Sequence, residues 1–198
     1  MPARLILPQS IYRALLAHAR AQFPYEACGL LRGRAGQVTD FLPARNISST
    51  PHSDYEVDAE TLLRALSWED EGDELIAIFH SHPTSPAYPS PVDAAKAFYP
   101  DSVYLILSLQ RVDAPELMGY FLRPGAIFRG EQADMLRRDI PFRQVRPGLW
   151  SYHLSSAETL PQLQTGAGMD RFLIYDQPAG PIRLIVVQPV EILLPSSL

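Results

Sequence analysis

Four prolines, at 83, 86, 89 and 91, follow directly on an apolar run that ends in His80-Ser81-His82. Proline fixes φ and lacks a backbone N–H, so this stretch can continue neither a helix nor a central strand. The chain must leave its strand at His82, cross a stiff connection and start again. Residues 75–82 read as that strand, and alternation puts Ile76, Ile78, His80 and His82 on one face. An apolar face that ends in two imidazoles has passed from core to something polar. A buried imidazole left unpaired costs roughly 1–3 kcal/mol.

The restart is equally legible. Ser90-Pro91-Val92-Asp93 ahead of Ala94-Ala95-Lys96-Ala97 reads as a helix start. Ser90 stands at the N-cap, Pro91 in the first helical position and Asp93 third, a capping-box variant. That is a complete structural account of Ser90 and Asp93, and it leaves room for a second role. A cap fixes the first turn and can aim Asp93 at the strand end carrying His80 and His82. Two histidines and one carboxylate suit zinc, with one coordination position left for water. His-x-His alone is a weak signal. His-x-His, seven residues, Ser, two residues, Asp should arise by accident in roughly one chain of this length in a few thousand.

Other elements alternate between helix and strand, which predicts an α/β (α+β) fold. Ile11, Leu15, Leu16 and Ala19 recur at helical spacing over 8–22. A strand over 26–31 and a partner over 38–42 form a hairpin across the glycines at 33 and 36. Residues 46–54 read as a polar loop, 58–68 as a helix begun by Asp58, and 69–74 as a solvated acidic turn. Strands over 103–109, 117–122 and 142–145 extend the sheet. Residues 146–198 form a β-rich extension: a Gly/Ser/Thr-rich stretch at 155–168, then apolar runs at 171–175, 182–187 and 190–194. Some fifty residues make a poor independent core. These runs are therefore expected to pair with one another and to pack on the domain or across a homodimer.

At 198 residues, 46% apolar and 20% charged, the composition is that of a soluble globular chain. A net charge of −5 with no Lys/Arg cluster argues against nucleic acid as a partner. No run of eighteen apolar residues and no charged-then-apolar leader is present, so neither a membrane span nor secretion is expected. The single cysteine, Cys28, fits the reducing cytoplasm.

His80, His82, Ser90 and Asp93, preceded by a glutamate in Pro24-Tyr25-Glu26-Ala27-Cys28-Gly29-Leu30-Leu31, together resemble the signature of the JAMM (MPN+) metalloproteases. The resemblance covers residues 1–145, and all five polar positions are filled. It implies a mixed central sheet flanked by helices, a cytidine deaminase-like architecture, with one zinc per domain. It also implies hydrolysis of a peptide or isopeptide bond after the C-terminal Gly-Gly tail of a ubiquitin-like or sulfur-carrier protein, the small chain favouring the carrier. By position, His80, His82 and Asp93 match the metal ligands. Glu26 matches the residue that activates the zinc-bound water, and Ser90 the one that steadies the tetrahedral intermediate. A metal-stabilised scaffold or carrier-binding module is the alternative. A zinc deaminase is disfavoured by the lack of Cys-x-x-Cys and His-x-Glu.

Several residues have two readings. A glutamate opening a strand is commonly a solvated end, although the apolar continuation from Cys28 to Leu31 carries Glu26 toward the core. Cys28 reads as a small packed hydrophobe, against a nucleophile or fourth ligand. His52 and Tyr55 belong either to an exposed loop or to the border of a substrate groove. His18 and His153 fall outside any pattern.

Overall fold

The computed structural model describes residues 4–160, 163 and 168–195. The 155–168 stretch singled out above therefore lies partly outside the described residues.

The described residues form two compact units. The first contains strand β1 (Arg4–Ile6), helix α1 (Gln9–Gln22), β2 (Cys28–Arg34), β3 (Gln37–Ala44), α2 (Ala59–Leu66), β4 (Glu74–His82) and β5 (Val103–Ser108). It also takes in the first residues of β6 (Glu116–Phe128) and the last of β10 (Ile182–Leu193). Its strands run in the order β1-β3-β2-β4-β5-β6 and are of mixed direction. β4 is antiparallel to β2 and parallel to β5, whereas β5 is antiparallel to β6. The mixed sheet expected from the sequence is present.

Local chemistry explains these elements. The apolar stripe of α1 buries Leu15 and Ala19, and the helix stops ahead of Pro24. β2 and β3 are joined by Ala35 and Gly36, which both take positive φ, 50° and 82°. Such a two-residue turn matches the right-handed twist of its strands. Asp58 caps α2, its carboxylate accepting from the Thr61 N–H at 3.1 Å and the Thr61 hydroxyl at 2.8 Å. β4 departs from simple one-faced alternation, because Ala77, Phe79 and Ser81 are as deeply buried as Ile78 and His80. As an inner strand with a parallel neighbour, β4 is covered on both sides.

The second unit contains α3 (Pro91–Ala95), the remainder of β6, α4 (Gly130–Asp139), β7 (Arg143–Arg146), β8 (Leu149–Leu154), β9 (Asp170–Tyr175) and most of β10. Its strand order is β6-β10-β9-β8-β7. Phe128, Leu136 and Ile140 share one apolar core with Leu154, Leu173, Ile182 and Leu184. The apolar runs after residue 170 pair as expected, with Leu184 opposite Leu173. The runs at 182–187 and 190–194 belong to one strand, β10. β1, α4 and β8 were not read from the sequence.

Candidate metal centre

β2 and β4 position the polar end of the site. Cys28 pairs with His80, and one step further the Ser81 N–H donates to the Ala27 carbonyl at 2.9 Å. The Ser81 hydroxyl oxygen accepts from the Ala27 N–H, also at 2.9 Å. Directly opposed residues of an antiparallel pair point to the same face. The register therefore sets Glu26 level with His82 and on the side of Cys28, His80 and His82. Glu26 is 5% exposed, which decides between a solvated strand end and a core-facing acid in favour of the latter. It precedes β2 rather than lying in it. Its main chain is held instead by the 46–57 loop, the Glu26 N–H donating to Pro51 O at 2.8 Å and Asn46 Nδ2 donating to Glu26 O at 2.9 Å.

Prolines 83, 86 and 89 bring no N–H to this connection, and three of its carbonyls accept from side chains outside it or at its start. His82 Nδ1–H donates to Pro86 O at 2.8 Å, the Ser108 hydroxyl to Ser85 O at 2.7 Å and the Tyr120 hydroxyl to Ala87 O at 2.9 Å. Three successive carbonyls thus each meet a side chain, and Pro86 O also accepts from the Tyr88 N–H at 2.8 Å. The bond to Pro86 has a chemical consequence. It fixes the proton of neutral His82 on Nδ1 and leaves Nε2 with a lone pair, the tautomer a metal-binding imidazole needs.

After the connection, Ser90 and Asp93 form the capping box. Ser90 Oγ accepts from the Asp93 N–H at 3.1 Å, while Asp93 Oδ2 accepts from the Ser90 N–H at 2.7 Å. The box engages one oxygen of Asp93 and one lone pair of Ser90.

His80, His82 and Asp93 are all buried, and their ligand atoms lie within 4.8 Å of one another. The two Nε2 atoms stand 3.1 Å apart. Nitrogens bound tetrahedrally to one zinc at 2.0–2.1 Å would stand about 3.3 Å apart, so the donor set fits a zinc ion in type and spacing. Among the described residues no other group of histidine, cysteine or carboxylate side chains has this character.

The Cys28 thiol is fully buried and pushed up to about 12, first by burial and then by the charges of Asp58 and Glu26. A thiol so held is a packed hydrophobe, not a nucleophile. His18 stands outside the group, its Nε2 3.1 Å from Cys28 O, and burial lowers its pKa.

The sequence allows Tyr55 either an exposed loop position or one at the border of a groove. Its ring stacks on His80 with centroids 4.5 Å apart and planes inclined by 19°. Asn46, in the same loop, carried no signal beyond polarity. Its role emerges only from the partners its amide meets in the fold.

Residues 8–120 match the family model described as prokaryotic homologs of the JAB domain. The chain belongs to that family. It is 32% identical over 126 residues to a Mycobacterium tuberculosis protein named CysO-cysteine peptidase, covering 62% of this chain and 86% of that one. A desampylase of Haloferax volcanii is 37% identical over 113 residues, 54% of this chain and 81% of its own. A probable TtuB-protein conjugate cleaving protease of Thermus thermophilus is 39% identical over 94 residues, 47% of this chain and 63% of its own. Among solved structures, the solution structure of the Desulfitobacterium hafniense protein DSY2949 superposes with a TM-score of 0.55 at 35% identity, covering 60% of this chain and 84% of that one.

Proposed function

We propose that this chain is a zinc-dependent peptidase or isopeptidase that cleaves a ubiquitin-like or sulfur-carrier protein after its C-terminal Gly-Gly tail. The observation that carries the reading is the buried convergence of His80, His82 and Asp93, three donors that suit zinc. Relatives named as a CysO-cysteine peptidase, a desampylase and a TtuB-conjugate cleaving protease support the substrate class.

His80, His82 and Asp93 would hold the ion. When bound, zinc supplies Lewis acidity, drawing the pKa of water down toward about 7 and polarising a carbonyl. Glu26 takes a proton on its carboxylate from the attacking water and passes it to the departing nitrogen, a contribution of typically 10²–10⁴-fold. The Ser90 hydroxyl donates to the carbonyl oxygen as that atom gains charge, and loss of one such donor costs about 10²–10³-fold. A set of three protein ligands would suit a catalytic ion, whereas a purely structural zinc site is closed by four.

The decisive experiment incubates the zinc-loaded protein with carrier and ubiquitin-like fusions, linear and isopeptide-linked, with and without chelator. Product masses that end at the diglycine, and that disappear on chelation, support the reading. Intact substrates throughout would leave the metal-stabilised binding module. We assign catalysis to residues 1–145 and assembly into a homodimer to the extension at 146–198, which light scattering at micromolar concentration tests. Cytoplasmic action is part of the same proposal. It agrees with the lone cysteine, and no described helix is long and apolar enough to cross a membrane.

A further inference from the structure

Asn46 lies outside the metal group, yet its side-chain amide makes four hydrogen bonds. Nδ2 donates to Glu26 O at 2.9 Å and to Asp54 O at 3.1 Å. Oδ1 accepts from the Ser48 N–H at 3.0 Å and the Glu56 N–H at 3.1 Å. Two donors and two lone pairs are all that a primary amide offers, and each is used. The orientation is settled by the partners, since a flipped amide would face carbonyls with its oxygen and N–H groups with its nitrogen.

These bonds make one connected object. The 46–57 loop closes on itself through the bridge between Asn46 and Val57 and the bond from Ile47 N–H to Glu56 O at 2.9 Å. It touches Glu26 twice, at the carbonyl through Asn46 and at the N–H through Pro51 O. Immediately after the Asp54 carbonyl held by Asn46 comes Tyr55, whose ring lies flat on His80.

We propose that Asn46 is a positioning residue that clamps the 46–57 loop to the main chain of Glu26 and thereby holds Tyr55 stacked against His80. The inference rests on the proposed reaction, in which Glu26 moves the proton and His80 holds the ion. No other residue type replaces the amide at this size. Aspartate keeps both acceptor bonds but sets an oxygen against the carbonyls of Glu26 and Asp54, and serine is too short to reach four partners. Groups that orient metal-binding histidines from outside are worth about 10–100-fold in metal affinity or activity.

The test compares wild type, Asn46→Asp, Tyr55→Ala and the double variant in three measurements. These are hydrogen exchange at the Glu26 amide in metal-free protein, the rate of zinc transfer to a chromophoric chelator, and kcat and KM on a cleaved fusion. Asn46→Asp is expected to speed Glu26 exchange by about tenfold or more, because the bond to Pro51 depends on the clamped loop. It is also expected to speed zinc transfer about 10–100-fold and to lower kcat more than it raises KM. Tyr55→Ala should speed zinc transfer alone, and the double variant should be no faster than the worse single one. Wild-type exchange and wild-type zinc transfer in Asn46→Asp overturn the inference, as do effects that multiply in the double variant. If Asn46→Asp does not fold, Tyr55→Ala decides, and unchanged zinc transfer in it overturns the inference. A wild-type protein that takes up no zinc sinks the metal reading instead, while metal-free exchange still reports on the clamp.

Discussion

Replacing Glu26 by glutamine separates proton transfer from folding and from metal binding. The two side chains have nearly the same shape, and the bonds that place residue 26, from its N–H to Pro51 O and to its carbonyl from Asn46, belong to the main chain. The neighbouring bond between Ala27 N–H and Ser81 Oγ is also untouched. The ligands assigned to the ion are His80, His82 and Asp93, so zinc content should stay at one per chain. What disappears is a carboxylate able to accept a proton, worth 10²–10⁴-fold in rate, or about 3–5.5 kcal/mol at 1.36 kcal/mol per tenfold. Melting should move by no more than a few degrees, since about 1 kcal/mol corresponds to roughly 2–4 °C for a chain of this size. The assay measures kcat/KM on a fusion substrate alongside zinc by atomic absorption and a thermal melt. Activity within about threefold of wild type, far short of the expected loss, would remove Glu26 from the mechanism. Loss of zinc together with activity would assign Glu26 to holding the ion instead.

Three further outcomes follow from the geometry. Burial raises the Cys28 thiol from its ordinary 9.0 to about 12. The stability tied to the protonated thiol is therefore complete below pH 9 and lost as pH climbs toward 12. At pH 8 iodoacetamide should spare the native protein, leave its activity intact and label Cys28 only after unfolding in urea; rapid native labelling would refute this. Asp58→Ala removes the cap of α2 and should cost about 1–2 kcal/mol in a chemical melt. Bonds from the Thr61 hydroxyl and N–H hold the Asp58 carboxyl below its ordinary range, so its contribution is present at neutral pH and fades as acid protonates it in the fold. An equal deficit for the alanine variant at strongly acid pH would contradict that origin. A chain ended at residue 145 strips Leu154, Leu173, Ile182 and Leu184 from the core they share with Phe128, Leu136 and Ile140. It should aggregate or bind a hydrophobic dye, and a monodisperse fragment with a cooperative melt would show that 1–145 folds without the extension.

What the sequence displayed and what it hid divide along physical lines. α1, the β2–β3 hairpin, α2, β4, β5 and the α3 cap were legible because each has a strong local cause: helical spacing, a glycine turn, a capping aspartate or an apolar run. α4 was not. Half of its residues are charged, only Ala133 and Leu136 are buried, and no side chain caps its start at Gly130. β8 was missed although Pro147-Gly148, with Gly148 at φ 76°, marks the turn that joins it to β7. β1 has three residues, too few for any periodicity, and its pairing with the end of β10 is set by contacts remote in the chain. At the site, His80, His82, Ser90 and Asp93 could be read because their spacing is short and fixed by a strand end and a cap. Glu26 was named by the resemblance and its apolar continuation, but its place level with His82 needed the β2–β4 register, which no local signal specifies. Asn46 and Tyr55 needed the loop itself, since an asparagine among serines and threonines is indistinguishable from any turn residue until its partners are in place.

The capping box also bears on why Ser90 and Asp93 stand three residues apart. A cap and a metal site are usually weighed as rival accounts of such a pair, but under the proposed function the two roles reinforce each other. The box uses Asp93 Oδ2 and a lone pair of Ser90 Oγ. Each half of the box restrains a group that the proposed reaction uses. The serine holds the backbone of the turn carrying the aspartate, and the aspartate holds the backbone of the serine. Separate replacement should reveal this reciprocity. Ser90→Ala would loosen Asp93 as well as remove a donor, so its effect on zinc retention should exceed that of Ser90→Thr, which preserves the cap while changing the surroundings of the hydroxyl. If both variants retain zinc equally well, the cap does not restrain the ligand, and the spacing has to be explained by catalysis alone.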